Sequence, residues 1–279
     1  MKAYLSVDLE GVNGIIHSSQ TQPGEPGYAR ALELLHEETN AVLKGLLASG
    51  VKEIIVNDSH WDMRNLFVEK ILDHPAVRIR SGWQKPFSMV SGLQETRPDF
   101  AVFVGYHARA GAHGVLSHTY RAQIFFEVKL NGVAVGETGL NAALAGYFGV
   151  PLALVTGDDA VAAEALALIP GIHTAQVKEA VSRYSAVFNS HSENLKLLEA
   201  AGREATQKKY WQLYKVSQPV AIEITMFDPA MADAAELLPQ VKRLSPRTIV
   251  IESHDYSQAF RLMLAVGALG ASRKDPHFS

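Results

Sequence analysis

Asp8 and Glu10 stand two residues apart, directly after the apolar run at residues 3–7. If extended geometry persists through them, both carboxylates point to the same side of the chain. Two like charges so placed repel unless a cation lies between them, so the pair can begin a metal site. Carboxylates in this position also solvate loops or cap a following helix, and the pair alone does not decide between these roles. The chain contains no cysteine. Disulfides, zinc–thiolate sites and a cysteine nucleophile are therefore excluded, and any metal must be held by His, Asp and Glu.

His60 closes Asn57-Asp58-Ser59-His60, where polar residues abruptly follow an apolar strand. An Asp/Ser helix cap beside an incidental histidine fits the same four residues. His107 follows the apolar run at residues 100–104 and precedes Arg109; it could equally bond to a loop backbone. Glu137 lies just past a short strand pattern at residues 133–135. Asp, Glu and His at comparable ends of separate strands are the ligand types that a cysteine-free zinc site needs. His118 lies in the glycine-containing segment Gly114-Val115-Leu116-Ser117-His118. Its neighbour Ser117 suggests a Ser-His pair, but adjacent side chains seldom face each other and no G-x-S-x-G elbow is present. Proton transfer beside a metal pair suits His118 better. Asp58 is a candidate to orient a metal-bound histidine. Arg109 would hold a substrate carboxylate or, by slight preference, a structural ion pair. His17, His36, His74, His113, His173, His191, His254 and His277 lack a comparable setting and read as surface or structural residues.

The elements that must position these side chains follow from hydrophobic periodicity. Strands are predicted at residues 3–7, 53–56, 100–104, 152–155, 220–225 and 249–252, with a short extended segment at 77–80. Residues 124–130 and 133–135 flank Asn131-Gly132, a strong hairpin signal. Helical patterns cover residues 28–49, 65–72, 140–148, a stretch after Asp158-Asp159, and about 192–213. Strands alternating with helices predict an α/β fold, a three-layer domain around a mainly parallel sheet. In such sheets ligands sit outside the carboxyl ends of the strands, where Asp8, His60 and His107 all fall. The less regular final hundred residues predict a smaller α+β domain, giving units of 1–180 and 181–279.

Composition excludes several classes of function. Hydrophobic residues make up 47% and charged residues 20% of the 279 positions, values of an ordinary folded domain without a disordered tail. The net charge of −3 offers no electrostatic grip on nucleic acid or an anionic membrane. The first apolar run is too short for a signal peptide and no run approaches membrane-spanning length, so a cytoplasmic location is expected. Nucleotide-binding glycine loops and the H-E-x-x-H zinc-protease helix are absent.

Taken in order, Ser6-Val7-Asp8-Leu9-Glu10-Gly11, Asn57-Asp58-Ser59-His60, Gly105-Tyr106-His107-Ala108-Arg109, Ser117-His118 and Gly136-Glu137-Thr138-Gly139-Leu140-Asn141 closely resemble the bacterial D-aminopeptidases encoded with dipeptide-transport genes. Lys85-Pro86-Phe87-Ser88-Met89-Val90 and Gly157-Asp158-Asp159 extend the likeness across residues 1–185. The resemblance implies two zinc ions per subunit, with Asp8 bridging them. Glu10 and His60 would complete one ion's protein shell, and His107 and Glu137 the other's. The position of His118 would be the catalytic acid/base or, in one reading of the family, a nucleophile. The resemblance also implies release of N-terminal D-amino acids such as D-Ala from short peptides, and a homodecamer of two stacked pentameric rings around an internal chamber. Competing expectations are another metal-dependent hydrolase of amides, esters or phosphoesters, and a non-catalytic peptide-binding protein serving a transporter, which would not need His118. The ligand set suits zinc, and manganese or cobalt also suits so oxygen-rich a site.

Overall fold

The computed structural model describes residues 1–272; His277 lies outside the described residues. In chain order the elements are β1 (Lys2–Val7), α1 (Tyr28–Ala48), β2 (Glu53–Asp58), β3 (Val77–Arg80), α2 (Leu93–Thr96), β4 (Phe100–Tyr106), β5 (Phe125–Leu130), β6 (Val133–Ala134), α3 (Glu137–Tyr147), β7 (Leu152–Asp158), α4 (Asp159–Leu168), β8 (His173–Ser182), β9 (Ser185–Phe188), α5 (His191–Glu204), β10 (Val220–Met226), α6 (Pro229–Ala235), β11 (Val241–Ser245), β12 (Thr248–Ser253) and α7 (Tyr256–Ala271). Seven strands form a sheet in the order β3-β2-β1-β4-β7-β8-β9. Its neighbours are parallel except for the terminal β8–β9 hairpin. Every residue of β4 and β7 is buried, and only Lys2 of β1 is exposed. Such continuous apolar strands are what a sheet covered on both faces requires. The alternating side chains of β1 divide between two cores: Leu5 and Val7 pack with Val42 and Leu46 of α1 and Leu198 of α5, whereas Tyr4 packs with Phe103 and Leu140 on the opposite face. This is the expected α/β architecture.

A second, antiparallel sheet runs β11-β12-β10-β5-β6. Asn131 and Gly132 both adopt positive φ at the β5–β6 turn, as a tight hairpin demands. Residue 180, where the sequence suggests a boundary, lies within β8, and the smaller sheet draws β5 and β6 from before it and β10 to β12 from after it.

Two predicted helices differ. Residues 65–72 are turns and irregular chain, because side chains capture the amides that a helix would use: the Asp58 carboxylate accepts from Asn65 N and Leu66 N, His36 Nε2 from Phe67 N, and Asn40 Oδ1 from Leu72 N. The helix expected to reach residue 213 ends at Glu204. Beyond it Trp211 donates its indole N–H to the Ala205 carbonyl and Gln212 bridges to Leu152 at the start of β7, so tertiary pairing overrides the helical pattern.

The parallel register aligns Val7 with both Asp58 and Val104, so the segments carrying Asp8, His60 and His107 leave the sheet at one edge. The chain after β1 then lies directly on the end of β4. Asp8 N donates to the Val104 carbonyl and Gly11 N to the Gly105 carbonyl, each at 2.8 Å. Gly105 has φ +68°, and a Cβ there would run into the Asp8 carbonyl oxygen. A Gly105→Ala substitution is therefore expected to destabilise the fold by about 3 kcal/mol, from overpacking plus strain at positive φ. Urea denaturation would measure it, and a loss under about 0.5 kcal/mol, the scatter of neutral substitutions, would disprove the close approach.

Candidate metal centre

Asp8, Glu10 and His60, all buried, present one ligand atom each within 4.8 Å of one another. His60 Nδ1 lies 3.3 Å from Asp8 Oδ1 and 3.0 Å from Glu10 Oε2. The other ring nitrogen, Nε2, is 2.6 Å from the Thr21 carbonyl oxygen, which can only accept a hydrogen bond. In the neutral ring the proton is thus held at Nε2, and the Nδ1 lone pair faces two carboxylates.

A second group repeats the device. His107, His118 and Glu137 also bring ligand atoms within 4.8 Å. His107 Nδ1 donates to the Ala108 carbonyl at 3.0 Å, turning Nε2 toward Asp8 Oδ2 at 3.5 Å and Glu137 Oε2 at 3.3 Å. His118 Nδ1 donates to the Leu116 carbonyl at 2.8 Å, leaving Nε2 3.8 Å from Glu137 Oε1. The two imidazoles stack with centroids 4.0 Å apart and planes 8° from parallel. Glu137 opens the first turn of α3, where the helix dipole favours a carboxylate, and its Oε1 accepts from Tyr120 N at 2.6 Å.

Asp8 joins the groups, one oxygen facing each. Its Oδ2 and the Nε2 of His107 are buried without any hydrogen-bond partner. Buried polar atoms are rarely left so. An unpartnered carboxylate oxygen and an unpartnered imidazole lone pair, each aimed at further acceptors, form a donor set for divalent cations with N/O preference, and zinc fits it.

Electrostatics point the same way. Burial, reinforced by the neighbouring charge of Glu10, raises the Asp8 pKa to about 7. Burial also acts to raise Glu10, but the charge and hydrogen bond of His60 outweigh it and hold Glu10 well below the usual carboxylate range. For His107 burial opposes protonation, and the charges of Glu137 and Asp8 overcome it, carrying the pKa to about 10; His60 is likewise driven well above its ordinary value by Glu10 and Asp8. Three buried carboxylates thus call for positive charge among them, and bound divalent ions would displace the protons that otherwise supply it.

The D-aminopeptidase family model matches residues 1–265. The chain belongs to this family. It is 38% identical over 275 residues to the D-aminopeptidase of Bacillus subtilis (strain 168), covering 96% of this chain and 97% of that one. Its fold superimposes on a solved structure, the zinc-dependent D-aminopeptidase DppA from Bacillus subtilis, described as a self-compartmentalizing protease, with a TM-score of 0.94 at 36% identity over 99% of this chain and 100% of that chain.

Within this D-aminopeptidase framework all six residues singled out in the sequence come together at one sheet edge, and two supporting roles are reassigned. Asp58 does not orient a histidine ring; it binds Asn65, whose side-chain amide donates to the His60 carbonyl, so it sets backbone position. Ring orientation comes from Thr21. The Arg109 guanidinium donates to the Ala110 carbonyl rather than forming the expected ion pair. Lys178 escaped sequence reasoning. It sits in β8 beside buried Val177, off the in–out alternation, and nothing in its local sequence marks it. Its ammonium donates to the carbonyls of Glu10, Val12 and Ile15 at 2.6, 2.8 and 2.7 Å, pinning the loop after β1. Burial lowers its pKa to about 8, so at neutral pH it remains mostly charged. Under the sheet edge, Ser6 Oγ bonds Ser59 Oγ and the Tyr106 hydroxyl, and Asn141 Nδ2 donates to that hydroxyl, which ties β1, the residue just after β2, β4 and α3 together.

A site of this kind couples metal binding to stability. Chelation is expected to lower the melting temperature, and zinc at a thousandfold excess over its Kd to restore about 4 kcal/mol per ion. Scanning calorimetry with and without chelator tests this; identical transitions would count against a metal at this site.

Proposed function

We propose that this chain is a di-zinc aminopeptidase that releases N-terminal residues, D-amino acids such as D-Ala among them, from short peptides. The observation that carries the reading is Asp8, whose two oxygens face His60 on one side and His107 on the other, with its Oδ2 and His107 Nε2 both buried and unpartnered. Asp8 would bridge the ions, Glu10 and His60 would hold one, and His107 and Glu137 the other. The zinc-dependent and D-specific descriptions of the Bacillus subtilis relatives support metal and substrate.

When bound, the ions polarise the scissile carbonyl and make water acidic enough to attack near neutral pH. The chain's own residues handle the proton. His118 is partly exposed, whereas the ligands around it are closed off. Burial of its ring, and the positive charge of His107 when that ring is protonated, lower its pKa; a bound ion in place of that proton would leave positive charge beside the ring, so His118 stays neutral and able to accept a proton at neutral pH. With Nδ1–H fixed on the Leu116 carbonyl, Nε2 is the nitrogen free to take a proton from attacking water and deliver it to the departing amine. Stacking on His107 keeps that nitrogen on station.

The self-compartmentalizing description of the solved relative supports a homo-oligomer, proposed here as a decamer. No helix among the described residues is long and apolar enough to cross a membrane, and a cytoplasmic location is part of the proposal.

Matched D-Ala and L-Ala amides and dipeptides give the direct test. Release of D-Ala that chelator stops and zinc restores is expected; no turnover of either enantiomer with any metal would refute the peptidase reading. Replacing His118 with Ala is expected to cost roughly 10²- to 10⁴-fold in kcat while zinc content stays unchanged. Unchanged kcat would remove His118 from the mechanism.

A further inference from the structure

Glu164 lies on α4, outside both ligand groups, yet its carboxylate joins the two chain segments that supply His107 and Glu137. One oxygen accepts from Arg109 N at 2.9 Å, and the other accepts from Gly136 N at 2.8 Å. Arg109 is two residues past His107, and Gly136 immediately precedes Glu137. A single carboxylate therefore sets the separation of two ligands that are thirty residues apart (137 − 107). The Gly136 amide precedes α3, whose first turn leaves its N–H groups without intrahelical partners, so Glu164 supplies from a different helix the acceptor that a capping side chain would otherwise offer. The junction is also sterically tight: a Cβ on Gly136 would meet Arg109 Cα, Arg109 Cβ and Glu164 Oε1 at 2.9 Å each. His118 belongs to the same half, since its amide donates to the Ala108 carbonyl at 3.2 Å.

The other half has its own brace. Lys178 holds the carbonyls of Glu10, Val12 and Ile15, all on the segment that carries Asp8 and Glu10. Glu164 bonds none of that segment and Lys178 none of the Arg109 or Gly136 segments.

We propose that Glu164 is a positioning residue for the His107–Glu137 half of the metal centre, acting separately from Lys178, which positions Glu10 in the other half, with Asp8 shared by both. The inference rests on the two-ion reading given above. In Glu164→Gln the amide can accept on one side only, and its NH₂ faces a backbone N–H on the other, so the junction must open at nearly constant side-chain volume. Metal-site supports of this kind typically carry about 10- to 100-fold in affinity.

The test is zinc titration of the purified wild-type protein and of Glu164→Gln, stripped and reloaded in zinc buffer, with cobalt absorption spectra as an activity-independent report on each site. Wild type is expected to bind two ions. Glu164→Gln is expected to bind one ion as wild type does and the other about 10- to 100-fold more weakly, with one of two cobalt signatures lost and kcat reduced more than KM is raised. Gly136→Ala, which leaves Glu164 intact but wedges the same junction, is expected to reproduce this selective loss, so the inference does not hang on the folding of one variant. Lys178→Met is expected to weaken the opposite ion, sparing the cobalt signature that Glu164→Gln removes. Two ions bound with wild-type affinity by Glu164→Gln, or both weakened together, would overturn the inference while leaving the two-ion reading intact. A wild-type protein that takes up one ion or none would overturn both.

Discussion

Three carboxylates buried within a few ångströms of one another cannot all keep their charge without positive charge among them. Asp8, Glu10 and Glu137 are in that position, and much of the surrounding structure follows from it. Each histidine facing them is held by a backbone carbonyl on its far side, at Thr21, Ala108 or Leu116, so that a lone pair rather than an N–H looks inward in the neutral ring. The arrangement is unfavourable for the protein alone and favourable around cations. It is local destabilisation that persists because the rest of the fold over-determines it.

That over-determination comes from the sheet. β1, β4 and β7 are buried along nearly their whole length, which leaves their ends little freedom to shift. At those ends glycine lets backbone meet backbone: the loop after β1 rests on Gly105, and the segment before Glu137 rests on Arg109. Charged side chains from the flanking elements then finish the alignment. Lys178 reaches in from β8 and Glu164 from α4, each bonding main chain rather than a ligand side chain.

How much of this was legible in the sequence depends on the range of the interaction that decides each feature. The central strands were readable because strands covered on both faces need unbroken apolar runs, and the hairpin because Asn131-Gly132 supplies its own turn geometry. Asp8, Glu10, His60 and His107 stood out because polar groups at strand ends contrast with the apolar runs before them, whereas His118 was picked out in its loop and Glu137 was tied to the others only through the family resemblance. Supporting residues did not stand out. Lys178 and Glu164 look like ordinary charged positions in a strand and a helix, and their roles arise only when the topology brings residues 10 to 15, 109 and 136 beside them. The failed helix at residues 65–72 has the same cause: Asp58, His36 and Asn40 compete for its amides from elsewhere in the chain. The final turns expected of α5 were likewise lost to a pairing with Leu152, some sixty residues earlier.

The strand order β3-β2-β1-β4-β7 carries a consequence for how the protein is made. Parallel neighbours cannot pair through a tight turn; β1 must wait for β2, fifty residues later, and for β4, a hundred residues later. The loop after β1 is not pinned until Lys178 has been synthesised. Asp8 and Glu10 therefore stay apart from His60, His107 and Glu137 until the chain has been made through those later positions. Long-range pairing of this type is slow and is completed late in folding. The two candidate ligand groups accordingly form only after the strands that carry them have paired, so their convergence is a product of the completed topology and of no single segment.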